Sequence, residues 1–229
     1  MNYDDLQKTV IGSMRENKTL DRIISLDIEA DLRTFENPQQ PILSISTARR
    51  IDGKINIQKF ILEDETSDAE VKIFNEFGSF CQEVKPLVIV GYASSVFDLP
   101  MLMLKMRTLD NQFKKDSRYQ PGYWALRDTL GKCFSLDVFD PVRFEIARVE
   151  NSSPKFMPLE KTLSHKRFEH LPFMRTKNVV SDMTNNGMNK WDAIHNLWRD
   201  KRESFNQYIE GDVHDTLLLA EDLFNINSS

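Results

Sequence analysis

Three short strand-like runs follow one another between residues 22 and 62, and the turn between the last two is nearly dictated. The runs are RIISLDIEA (22–30), PILSISTARR (41–50) and KINIQKFIL (54–62). Asp52-Gly53 separates the second from the third, and this dipeptide is the strongest short-range signal for a tight hairpin. The second and third runs therefore pair antiparallel, and whatever this chain folds into contains a meander near its start.

Beyond residue 62 the apolar period changes from two to about 3.6. Val71, Phe74, Phe77, Cys81 and Val84 mark a helix over 67–84, with Ser67 or Asp68 expected as its cap. PLVIVGYAS (86–94) is continuously apolar, as a buried parallel strand is. A second helix is expected over 97–113, burying Leu99, Met103, Met106 and Phe113. KCFSLDVFDPV (132–142) reads as a strand stopped by Pro141, 159–168 as a helix and 184–189 as a turn. Trp191 to Phe224 is helical in pattern, with a break expected near Gly211, and 143–190 is the least regular part. Residues 2–16 read as a helix leading in. The division expected is a helical extension over 1–21 and one domain over 22–229. This order of elements gives an α/β domain with a mixed sheet, a meander followed by crossovers.

The first strand carries an anomaly. Asp27 and Glu29 are two residues apart and so share one face of a strand that otherwise looks like core. Like charges that close repel unless something neutralises them. Either the strand lies at a sheet edge with both groups in water, or both bind divalent cations, since magnesium and manganese prefer oxygen ligands. Asp98, in VFDLPML, follows an apolar strand. It suits a helix N-cap, yet a strand-to-helix corner is also where open α/β sheets place ligand groups. Tyr208 and Asp212 stand four apart on one helical face, with Asp215 able to share it. By itself this is an ordinary acidic helix face.

The order of the three signals is more specific than any one of them. D-x-E on the first strand, F-D-L-P after a later strand and Y-x-x-x-D in the last helix resemble the three motifs of the DnaQ-like (DEDD) 3′–5′ exonuclease superfamily. GYASSVFDLPML and YIEGDVHDTLLLAE are most similar to the proofreading exonuclease domain of family B DNA polymerases. The resemblance runs from about residue 22 to 225. It implies a ribonuclease-H-like fold, α/β, with a mixed five-stranded sheet flanked by helices, in a stand-alone exonuclease. Position 207, five before Asp212, is Gln and position 210, five before Asp215, is Glu; neither is His, so the resemblance favours the tyrosine (DEDDy) branch through Tyr208 and implies a helix-surface place for His214. One departure stands out: the family's asparagine five residues before the second-motif aspartate is Ala93 here.

Carried over residue by residue, the resemblance implies that Asp27, Glu29, Asp98 and Asp212 hold two Mg2+ or Mn2+ ions, about 3.5–4 Å apart in two-metal sites. Tyr208 would orient the attacking water rather than act as base, its ordinary pKa being near 10. The substrate implied is the 3′ end of single-stranded DNA, or RNA, with nucleoside monophosphates released. Leu32 or Phe35 would stack on the terminal base.

Bulk properties constrain the rest. The net charge of −5 argues against gripping long duplex DNA by charge alone. Residues 143–177 nevertheless hold eight Lys/Arg against four Glu, which suits contact with a substrate strand. The two cysteines, Cys81 and Cys133, lack metal-ligand spacing, and no apolar run suits a membrane span or secretory signal. The expected setting is cytoplasmic, without membrane attachment, beside replication or repair proteins. The competing readings are a catalytically weak nucleic-acid-binding module and an unrelated α/β domain with decorative acids.

Overall fold

The computed structural model describes residues 3–33 and 40–226. Its centre is a five-stranded sheet built from β1 (Ile23–Ala30), β2 (Ile42–Ile51), β3 (Lys54–Ile61), β4 (Val88–Gly91) and β5 (Phe134–Asp137). The strand order is β3-β2-β1-β4-β5. β1–β2 and β2–β3 pair antiparallel, whereas β1–β4 and β4–β5 pair parallel. The hairpin forms as its sequence dictates: Ile51 pairs with Lys54, and Asp52 and Gly53 both take positive φ, 49° and 76°, as a type I′ turn requires.

β1 is the middle strand, not an edge. Ile24, Leu26 and Ile28 enter one core with Phe74 and Phe77 of α2 (Ser67–Val84). Ile23 enters a second core on the opposite face, with Val88, Val90 and the buried Val213 and Leu217 of α10 (Arg202–Leu223). The Ser25 hydroxyl donates to the Val213 carbonyl at 2.7 Å, so the odd-numbered face of β1 lies against α10. Asp27 and Glu29 are on that face by the period of two. Ile11 and Met14 of α1 (Tyr3–Glu16) join the second core, so the N-terminal helix packs on the same sheet.

Several expectations are corrected. The cap of α2 is Thr66, whose hydroxyl accepts from the Ala69 amide. The helix expected over 97–113 is two, α3 (Asp98–Thr108) and α4 (Asp110–Lys115). Met103 is 62% exposed while Lys105 is buried. The reason is an ion pair: Lys105 Nζ meets Glu70 of α2 at 3.0 Å, and Glu70 also accepts from the Ile42 amide of β2. This charged strut takes the inward position that the apolar pattern assigned to Met103.

α5 (Gln120–Lys132) has no counterpart in the sequence reading. Its contact with α2 is made through glycine, because a Cβ on Gly78 would overlap the Gly122 carbonyl. A helix that docks by its backbone shows little hydrophobic period. β5 stops at Asp137, and Pro141 sits instead in the first turn of α6 (Phe139–Glu150), where proline is tolerated. The stretch 159–168 is α7 (Leu159–Leu163) and a separate 3-10 turn, Lys166–Phe168. α8 (Asn178–Asn185) lies in the stretch read as irregular, and the break before α10 falls at Lys201, after α9 (Lys190–Asp200), not at Gly211. Gly211 is mid-helix because a side chain there would strike Thr176.

Candidate active site

The parallel strands β1, β4 and β5 end at one edge of the sheet, where open α/β folds gather ligand groups. Asp27 and Glu29 come from β1, and the β1–β2 register shifts just after Glu29. Such irregularities commonly sit beside sites. Asp98 opens α3 after the loop from β4. It does not cap that helix; its Oδ1 instead accepts from the Ile28 amide of β1 at 3.4 Å. Tyr208 and Asp212, one turn apart on α10, complete the arrangement.

Carboxylate oxygens of Asp27, Glu29 and Asp212 lie within 4.8 Å of one another. Asp98 stands beside this group, close enough that its charge acts on Asp27. All five sequence-derived residues are therefore drawn to one place, from 27 to 212 along the chain.

The electrostatics are costly. Burial pushes Asp27 well above the usual carboxylate range, and the charges of Asp212, Asp98 and Glu29 push it further. Burial likewise raises Glu29 and Asp98, each to about 7; Lys177 pulls Glu29 back, and the Ile28 amide pulls Asp98 back. Asp212 is raised by burial against the opposing pull of Lys177. Tyr208 is 2% exposed and within hydrogen-bonding reach of Glu29. Burial and then the carboxylates around it push its phenol well above 10, so it stays protonated and donates.

Asp27 Oδ2 and Asp212 Oδ1 are buried and make no hydrogen bond among the described residues. Unsatisfied buried carboxylate oxygens cost free energy unless a cation or donor meets them. Closely spaced oxygens left in this state are the donor set that magnesium or manganese takes. The residues present thus fit a divalent-metal site.

Lys177 was visible in the sequence only as one member of a basic stretch. In the fold its Nζ lies 2.8 Å from Asp212 Oδ2 and 5.2 Å from the centre of the Tyr208 ring. The loop that delivers it is pinned to α10. Asp215 accepts from the amides of Met174 and Arg175 at 2.8 and 3.1 Å, and the Thr176 hydroxyl donates to the Tyr208 carbonyl over the gap left by Gly211. Asp215 is therefore a buried anchor rather than a member of an acidic surface. His214 is half-buried, its Nδ1 2.8 Å from Asp215 Oδ1.

Asp137, at the end of β5, also escaped notice. It accepts from the amides of Ala93, Ser95 and Phe139 and from the Ser95 hydroxyl, and so fixes the loop leading to Asp98. An aspartate closing an apolar parallel strand was the available signal. Ala93 takes φ 60° in this loop, a conformation Asn adopts readily and Ala does not. Leu32 is buried, 7% exposed. Phe35 lies outside the described residues.

A second constellation, Asp31, Glu65 and His195, also brings oxygen and nitrogen atoms within 4.8 Å. It differs in being neutralised: Arg33 grips Asp31 at 2.7 and 2.9 Å, and His195 Nε2 lies 2.8 Å from Glu65.

Comparison with known proteins bears on the family and the fold. The chain is 26% identical over 232 residues to DNA polymerase 2 of Aeropyrum pernix, covering 95% of this chain and 26% of the polymerase. The structure of the family B DNA polymerase from Pyrobaculum calidifontis superimposes with a TM-score of 0.59 at 22% identity, over 88% of this chain and 24% of that one. This second likeness bears on the fold alone. The chain thus spans about a quarter of the length of both relatives. The family model described as DNA polymerase family B, exonuclease domain, matches residues 2–129, more than half of the sequence. By that match, and by the fold on which its acids converge, the chain belongs to the exonuclease domain family of family B DNA polymerases.

Proposed function

We propose that this chain is a metal-dependent 3′–5′ exonuclease that shortens single-stranded DNA from its 3′ end and releases nucleoside monophosphates. The observation that carries this reading is the convergence of Asp27, Glu29 and Asp212, with Asp98 beside them, where Asp27 Oδ2 and Asp212 Oδ1 find no hydrogen-bond partner among the described residues. These four residues would hold two Mg2+ or Mn2+ ions, which when bound supply an activated water and offset the charge that builds on the scissile phosphate and the leaving 3′-oxygen.

The chain's own groups do the positioning. Tyr208, held as a phenol by its burial, donates a hydrogen bond and orients the attacking water. Lys177 offsets part of the carboxylate charge and holds Asp212 in place. Asp137 fixes the loop that delivers Asp98. The basic stretch 143–177 faces the substrate strand, so the net negative charge of the protein does not prevent binding. Among the described residues no helix is long and apolar enough to cross a membrane. Work in the cytoplasm beside replication or repair proteins belongs to the same proposal.

The test is a gel assay with 3′- and 5′-labelled oligonucleotides of DNA and RNA, with Mg2+, Mn2+ or EDTA. Laddering from the 3′ end that EDTA stops and Asp27→Ala abolishes is the expected result. Metal-independent binding without cleavage would instead establish a nucleic-acid-binding module, the reading that Ala93 favours by replacing an asparagine in a strained position.

A further inference from the structure

Among the exposed large apolar side chains of the described residues, two phenylalanines belong to a cluster of rings and a guanidinium. Phe156 is 76% exposed and Phe144 53% exposed. Phe156 rests on Phe139 with ring centres 5.5 Å apart, and Phe139 meets Tyr92 edge-on at 5.6 Å and 86°. The Arg143 guanidinium lies 5.6 Å from the Phe139 ring centre and 5.1 Å from that of Phe144. The Tyr92 hydroxyl donates to the Met157 carbonyl and lies 2.8 Å from Thr162 Oγ1, which ties down the segment that carries Phe156. The result is a row of rings, fixed at its inner end and open to solvent at its outer end.

The register of the sheet says where the row begins. Ser25 pairs with Val90, and Val90 with Leu136. β4 and β5 end at Gly91 and Asp137, a paired level; Tyr92 follows at once and opens the loop to Asp98, and the Val138 amide donates to the Gly91 carbonyl at 2.9 Å. Tyr92 packs against the core on the same face as Ile23, which is also the face of Asp27. The row thus starts at the C-terminal end of β4, close enough to the site that the charge of Lys177, the partner of Asp212, acts on Tyr92. Lys155, exposed, adjoins Phe156 in the sequence, and Arg143 is partly exposed with its Nε 2.6 Å from Asp140.

Resting on the exonuclease reading, we propose that Phe156, Phe144 and the Arg143 guanidinium between Phe139 and Phe144 form a base-stacking subsite for the single strand upstream of the scissile phosphate. The stacked rings and the guanidinium offer flat faces rather than an aliphatic patch, and their inner end at Tyr92 lies near Lys177 of the carboxylate site, which favours a nucleic-acid strand over an apolar protein surface. Every base offers a π-face, so stacking of this kind tolerates any sequence while holding the strand in register.

The experiment compares the full chain with Phe156→Ala and Phe144→Ala on two substrates: the octamer (dT)8 and the p-nitrophenyl ester of thymidine 5′-monophosphate, which is too short to reach the subsite. Each alanine variant is expected to raise KM for the octamer by about tenfold, the scale of losing one stacked base. Turnover of the ester should stay unchanged, and Phe156→Trp should restore the octamer KM. An abasic unit stepped along the octamer should weaken the parent protein at a position where Phe156→Ala is indifferent. Octamer KM values within twofold of the parent, or equal losses on both substrates, would overturn the subsite. Should the parent cleave neither substrate, the exonuclease reading falls and fluorescence anisotropy with labelled (dT)8 in Ca2+ decides the subsite: it stands if Phe156→Ala binds more weakly and falls if binding is equal.

Discussion

Among the described residues two side-chain groups have metal-ligand spacing, and one of the two is electrically incomplete. Around Asp31, Glu65 and His195 every charge has an answer. Burial pushes Asp31 up, but the Arg33 hydrogen bonds outweigh it and leave the carboxyl below its ordinary range. Around Asp27, Glu29 and Asp212 the carboxyls are raised, two buried oxygens lack a hydrogen bond, and Lys177 is the nearest cation. Spacing alone therefore does not distinguish a metal centre from an ion-pair network. Uncompensated charge is the difference here: a buried carboxylate without a partner either takes up a proton or meets a cation, and strongly perturbed groups of this kind gather at functional sites.

The widest separation between the groups should appear in activity. Asp27→Asn is expected to lower nuclease turnover by about 10³-fold or more, roughly 4 kcal/mol, while His195→Ala changes it by less than about threefold. Single-turnover assays in Mn2+ would reveal it, and comparable losses in the two variants would erase the distinction.

A second effect concerns stability without metal. Lys177→Met leaves buried carboxylates unopposed and should cost about 3 kcal/mol in EDTA. Denaturant titration would measure this, and a variant as stable as the parent would show that Lys177 is not the counter-charge.

The pH dependence follows from Glu29 and Asp98. Both are near 7 in the fold, whereas ordinary values are about 4.3 and 3.9. Between about pH 4 and 7 the folded protein holds protons that the unfolded chain has released, so their contribution to stability falls as pH rises through that window and levels off above it. In EDTA, Glu29→Gln should flatten this slope, and saturating Mn2+ should raise the melting temperature by more at pH 8 than at pH 5. Equal metal-induced shifts at the two pH values, seen by scanning fluorimetry, would contradict the assignment.

The smallest change expected is at the loop before Asp98. Ala93→Asn should add about 1 kcal/mol of stability by relieving the left-handed backbone. An unchanged urea midpoint would mean that Asp137 already absorbs the strain.

The local chemistry was legible because it is local. Asp52-Gly53 needs no distant partner to make its turn, and D-x-E on a strand places both acids on one face. What escaped depends on contacts between remote segments. α5 docks on α2 by glycine, so no apolar period announces it. Met103 and Lys105 exchange their expected places because Glu70, in another helix, offers a partner for the ammonium. Lys177 looked like one basic residue among eight, and nothing adjacent to it in the sequence points to Asp212.

By itself the sequence determined the meander, the α/β order and which five residues to bring forward as site candidates, since strand period, turn chemistry and motif order are carried by neighbours along the chain. Only the tertiary structure decided that β1 is central rather than an edge, that its acids meet α10, and that Lys177 and Asp137 join them. Desolvation and charge compensation act through space, and their sums over residues from 27 to 212 exist only once the sheet and its helices have closed around them.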